Sequence, residues 1–298
     1  MNYALDAIWW RLTAPHVRDL AAILTAPSLW QTGCELPVTE LLGDTGFRYL
    51  LDLNDHPQQL HEMVKHNQPF ASRLGFYAEH LLAFWLETAP HASLLGRNVV
   101  LKNAAGQTGG AADFIATLNG QPYHIELTCK YYGCRSGRPS EMVGFDTQDT
   151  LLHKADKLQR QLKLLDSEEG RKILARFKLD PQQVRPVSIV RGVGFSAQPQ
   201  AGREAPLNSY GWHGVYIEDW SEYGFLRNTH TSLSDGLERR YARLPRLSWP
   251  APARLRLEDT LDAAETRAVR SGIVAALEQR PDGLWHEVQR IMKVERGG

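Results

Sequence analysis

The chain has 298 residues, enough for two average domains or for one elaborated α/β domain. Apolar residues make up 43% and charged residues 23%, with 24 glycines and 16 prolines, a globular composition that excludes collagen-like, disordered and coiled-coil classes. The 34 basic and 34 acidic side chains balance, whereas a strong non-specific nucleic-acid binder normally shows a basic excess.

The first apolar segment contains Asp6 and has no basic run before it, so it does not read as a signal peptide. Short helices are expected over 14–24, 39–51 and 57–65. Residues 70–87 read as one long helix, apolar nearly all round and therefore buried on most sides. Strand-like NVVLK follows, then a glycine-rich turn, AAGQTGG, which lacks the Lys-Ser/Thr of a phosphate-binding P-loop. Two period-2 segments, ADFIATL and PYHIELTCKYY, flank Asn119-Gly120, a strong hairpin signal. A second helix is expected over 147–165, a buried strand over 187–195 and a further strand over 214–220. The last 80 or so residues read as short helices with a proline-rich loop. This order predicts an α/β fold, a mixed β-sheet flanked by helices.

No stretch approaches about 18 uncharged apolar residues, so no membrane span is expected. Cys34, Cys129 and Cys134 form no CxxC pair, which argues against a disulfide framework or structural zinc and for a cytoplasmic protein. From Arg239 to Arg256 run six arginines (Arg239, Arg240, Arg243, Arg246, Arg254, Arg256) without an acid. They read as a solvated face, with a phosphate-contacting stripe as the alternative.

A two-residue turn at Asn119-Gly120 sets Leu118 against Gln121 and Asp113 against Glu126, on the sheet face that also carries His124, Thr128 and Lys130. Two carboxylates about 4–5 Å apart repel by roughly 3–4 kcal/mol at an effective dielectric of about 20. Protonation, a nearby cation or a divalent metal relieves that cost, and oxygen ligands suit Mg²⁺ or Mn²⁺. Glu79 falls inside the apolar helix, where an unpaired charge is expensive. Lys154, Lys157 and Gln161 share one face of the second helix, either a phosphate-facing surface or a plain solvent face.

A helix with Glu, a strand with Asp after a glycine-rich turn, a strand with Glu and Lys, then a helix resembles the core of the PD-(D/E)XK phosphodiesterase superfamily. Together LGFYAEHLLAFWL, GGAADF, IELTCKYY and GFDTQDTLLHKADKLQRQL resemble a bacterial family of unknown function within it. The late segments SYGWHGVY and GLWHEVQRIMKV extend the likeness over most of the chain. The resemblance implies a restriction-endonuclease-like core over 70–200, within a single domain that adds a helical part over 1–69 and a C-terminal accessory region over 201–298. It also implies a catalytic set of Glu79, Asp113, Glu126 and Lys130, with Asp113 and Glu126 as metal ligands.

Lys154, Lys157 and Gln161 are the expected substrate contacts and nucleic acid the expected partner. The lysine stands four residues beyond Glu126 instead of two, with Thr128 in the usual place, a shift of about 7 Å along the strand. A metal-dependent nuclease is therefore the first expectation. The alternatives are a degenerate module that binds nucleic acid or protein without hydrolysis, and a scaffold whose hairpin carboxylates are plain surface charge.

Overall fold

The computed structural model describes residues 10–70, 73–102, 106–198, 203–229 and 239–295, with the backbone alone for 225–229. The N-terminal part is helical: α1 (Pro15–Thr25), α2 (Val38–Leu42), α3 (Gly46–Asp55) and α4 (Gln58–Asn67). Pro15 opens α1, where its fixed φ suits a first helical turn. The single helix expected over 39–51 is two, because Gly43 ends α2 with φ 56° and turns the chain.

The long apolar helix is α5 (Leu74–Thr88). Leu81, Ala83, Phe84 and Trp85, which project in different directions, are all buried. It starts later than the expected residue 70; positions 71–72 lie outside the described residues. Next come β1 (Ala92–Lys102), β2 (Thr108–Leu118) and β3 (Gln121–Gly133). Positions 104 and 105 of the expected glycine-rich turn also lie outside the described residues, and its last part already belongs to β2. Between β2 and β3, Asn119 and Gly120 take φ 49° and 80°, the two positive values a tight primed turn requires.

The hairpin register is as expected from Leu118↔Gln121 to Phe114↔Ile125. There the ladder stops. Asp113 and Glu126, the next expected pair, are linked through their side chains instead of by ladder bonds. β3 continues to Gly133 in parallel with β4 (Arg185–Ser196).

Between β3 and β4 lie α6 (Leu151–Leu162), shorter than the expected 147–165, and α7 (Glu168–Arg176), which the sequence reading did not assign. Thr150 and Ser167 cap them, accepting from the amides of His153 and Gly170. The remainder comprises β5 (His213–Ile217), α8 (Trp220–Thr229), β6 (Arg239–Arg243), β7 (Arg254–Leu255), α9 (Ala263–Arg267), β8 (Gly272–Gln279) and β9 (Trp285–Lys293).

The nine strands of the described residues form one mixed sheet in the order β1-β2-β3-β4-β5-β9-β8-β6, with β7 paired to β9. The expected sheet over 98–130 and 187–195 is therefore only part of it. The strand expected over 214–220 is β5, and the last 80 or so residues, expected as short helices and loop, add β6 to β9 to the same sheet. On one sheet face Ile125, Leu127 and Cys129 of β3 pack with Leu81, Leu82 and Trp85 of α5. On the other, Tyr132 and Val190 meet Leu151, Leu158 and Leu162. Each such large apolar side chain contributes about 1.5–3 kcal/mol when fully buried. Among the described residues no helix is long and apolar enough to cross a membrane.

Candidate functional site: a carboxylate cluster where two strands part

The end of the β2–β3 ladder creates the site. Beyond Phe114↔Ile125, the amide of Leu127 donates to Asp113 Oδ2 at 2.9 Å, and the amide of Asp113 donates to Glu126 Oε1 at 3.3 Å. Each carboxylate thus caps backbone groups that the ladder has released. β3 runs on past this point, and the notch on the side β2 has left is a cavity of about 350 Å³. Glu79 from α5, Thr128 and Lys130 from β3, Asp149, and Lys154 from α6 all line it.

Glu126 is fully buried and held from three directions. His124 Nε2 lies 2.8 Å from Oε1, and Gln161 Nε2 donates to Oε2 at 2.9 Å, in addition to the Asp113 amide. Asp113 is less well compensated. Burial, then the charge of Glu126, then that of Glu79 push its carboxyl up to about 7. Burial likewise raises Glu79, partly offset by Arg97 and by a hydrogen bond from the Asn98 side chain.

The cation acting on all three carboxylates is Lys154. Its own pKa is lowered by burial and by the nearby Lys157 and Lys130. Lys130 also reaches the cavity, but its Nζ sits 2.5 Å from Asp149 Oδ2, while Asp149 Oδ1 accepts from Tyr132 at 2.8 Å.

The structure therefore brings Glu79, Lys130 and Lys154 to one cavity, which Asp113 and Glu126 do not themselves line. It does not bring Lys130 to the carboxylate pair. Gln161, expected to meet substrate, has its amide engaged by Glu126, and Lys157, between Lys154 and Gln161 on the same helical face, is exposed. Sequence reasoning missed two members. His124 was readable as the residue two before Glu126 on the same face, whereas Asp149 sits in a loop and carries no periodic signal.

Among the described residues no group of three or more His, Cys, Asp or Glu is placed to hold a metal ion. That argues against a site closed by protein ligands, as structural zinc requires. A hydrated Mg²⁺ or Mn²⁺, an ion typically held by one or two carboxylates with several waters, would need only Asp113 and Glu126 from the chain. Two oxygens beside Glu126, Thr128 Oγ1 and Gln161 Oε1, are buried without a partner, as acceptors for such waters would be.

The fold and this cluster define a mixed α/β protein whose sheet opens onto an under-neutralised carboxylate cleft. A family model described as "Domain of unknown function (DUF1853)" matches residues 18–294, and the chain belongs to that family. No curated protein and no solved structure is similar to it.

Proposed function

We propose that the chain is a divalent-metal-dependent phosphodiester hydrolase acting on nucleic acid, with Asp113 and Glu126 as the metal ligands. The observation that carries this reading is the Asp113 carboxyl, buried beside Glu126 and Glu79 and raised to about 7. Such a site is stabilised by a bound cation or by protonation. Support also comes from the order α5-β1-β2-β3-α6-α7-β4, with Glu79 on α5, Asp113 on β2 and Glu126 on β3, as the PD-(D/E)XK resemblance implies.

A Mg²⁺ or Mn²⁺ held by Asp113 and Glu126 would supply Lewis acidity and a water of lowered pKa for phosphodiester hydrolysis. The chain's own residues do the rest. His124 and Gln161 fix the Glu126 carboxylate, and the Leu127 amide fixes Asp113. Lys154 carries positive charge towards the pair and can stabilise charge developing on a phosphate in the cavity. Lys130 is paired with Asp149, which also accepts from Tyr132, and stands on the wall of the same cavity.

Calorimetric titration with Mn²⁺ tests the ligand assignment. Binding to the wild type that Asp113→Ala removes is the expected outcome, and equal uptake by both proteins overturns it. A second reading, a module that binds nucleic acid without hydrolysis, is favoured by the protein donors on both Glu126 oxygens and by Thr128 in the usual lysine position.

A further inference from the structure

The arginine run of the C-terminal region does not behave as one surface. Arg239 is turned inward to Glu278 at 3.2 Å, and Arg240 Nε donates to Thr260. Arg243, Arg246, Arg254 and Arg256 line concave surface instead. A cavity of about 490 Å³ shares Phe145, Arg246 and Trp249 with the carboxylate cleft. It shares Arg243, Leu244 and Pro245 with a third cavity, of about 700 Å³. The three form one groove leading away from the cluster.

Its middle section contains Arg243 and Arg246 and no acidic side chain. Both are exposed. Arg246 lies 5.8 Å from the Trp249 ring centroid, a contact that holds the guanidinium while leaving N–H donors for an acceptor. Farther along, the third cavity sets Arg18, Arg254 and Arg256 against Asp19 and Asp259, and the exposed Arg256 lies 3.8 Å from Glu258. In a chain of zero net charge this is a local excess of fixed cations in a channel, where a solvated convex face would be the ordinary setting for a charge run.

We infer that this groove holds a nucleic-acid strand by its phosphates, with Arg243 and Arg246 as the central contacts. The inference rests on the phosphodiester reading of the adjoining cleft and adds the path the polymer takes. Guanidinium groups suit this ligand because their N–H donors match phosphate oxygens, and a linear groove suits a linear polyanion.

The test is fluorescence anisotropy with labelled single-stranded DNA, single-stranded RNA and duplex DNA over a salt series in EDTA, so that metal chemistry plays no part. Each arginine–phosphate contact contributes about 0.7 to the slope of log K against log salt for a single strand and about 0.9 for a duplex. Arg243→Ala/Arg246→Ala is expected to flatten the slope by about 1.4 or about 1.8, which also tells which form occupies the groove. Arg243→Lys/Arg246→Lys, which keeps both charges, is expected to retain the slope.

A double-alanine variant with the wild-type slope, or wild-type protein that binds none of the three probes, overturns the inference. Hydrolysis of bis(p-nitrophenyl) phosphate with Mn²⁺ reads the carboxylate site separately, because that ester is too small to span the groove. Wild-type protein inert towards the ester, yet showing the arginine-dependent slope, keeps the groove and removes the hydrolysis.

Discussion

Asp113 and Glu126 each hold the other's strand. The Asp113 amide donates to the Glu126 carboxylate, and the Asp113 carboxylate accepts from the amide of Leu127, next to Glu126. The hairpin ladder ends at this reciprocal pair, so the fork that opens the cleft and the carboxylates buried beside it have the same origin.

Burial of carboxyls, reinforced at Asp113 by the charge of Glu126, makes stability pH-dependent. Asp113 is raised to about 7 and the buried Asp19 to about 6, both above the ordinary carboxylate value. A raised acid binds its proton more tightly in the folded state, so its contribution is present at low pH and is lost as pH rises through about 6–7. In EDTA, urea midpoints are expected to fall between pH 5 and pH 8. Asp113→Asn, which keeps the acceptor for the Leu127 amide, should raise stability at pH 8 by about 1 kcal/mol or more and flatten the upper part of the curve. If Asp113→Asn destabilises the fold, the pair is structural.

The two lysines separate by rate. Lys154→Ala is expected to lower hydrolysis on the order of 10² to 10³, the usual loss for one electrostatic stabiliser, while sparing Mn²⁺ binding. Lys130→Ala is expected to cost less, because its ammonium is already paired with Asp149. A larger loss in Lys130→Ala returns the role to the strand lysine.

The groups that hold Glu126 set its affinity for a cation. Gln161→Leu removes the donor to Oε2 and should weaken Mn²⁺ binding about 10- to 100-fold, the typical effect of losing a group that orients a metal ligand. Calorimetry on the variant checks this, and unchanged affinity detaches Gln161 from the site.

Arg290 governs the far half of the sheet. Fully enclosed, it pairs with Glu287 through Nε and Nη2 at 2.6 and 2.7 Å and donates to the carbonyls of Trp249 and Ala251. Arg290→Leu leaves the buried Glu287 charge without its cation and with only the Ala253 amide as donor, so urea denaturation should show a loss of about 3–5 kcal/mol. A loss below about 1 kcal/mol means the loop carrying Trp249 is held by other contacts.

The N-terminal half of the sheet was legible because its signals are local. Asn119-Gly120 sets the hairpin register, and the apolar run around Glu79 marks a buried helix. The C-terminal strands lack such signals. In β8 the run GIVAALEQ is buried from Ile273 to Glu278, so no alternation appears. In β9 the inward Glu287 and Arg290 look like surface charges until their pairing is seen. Within the site, parity placed Asp113 and Glu126 on one face, but periodicity cannot show where a ladder ends. For that reason Asp149 as the partner of Lys130, and Lys154 as the cation acting on the pair, emerged only from the folded chain.

Incubation of end-labelled DNA and RNA strands with Mn²⁺, comparing the wild type with Asp113→Ala, bears most directly on the proposed activity. Cleavage by the wild type that disappears in EDTA and in Asp113→Ala is the predicted result. Wild-type protein that takes up Mn²⁺ at Asp113 and Glu126 yet leaves every strand intact contradicts hydrolysis and leaves a nucleic-acid-binding module in its place.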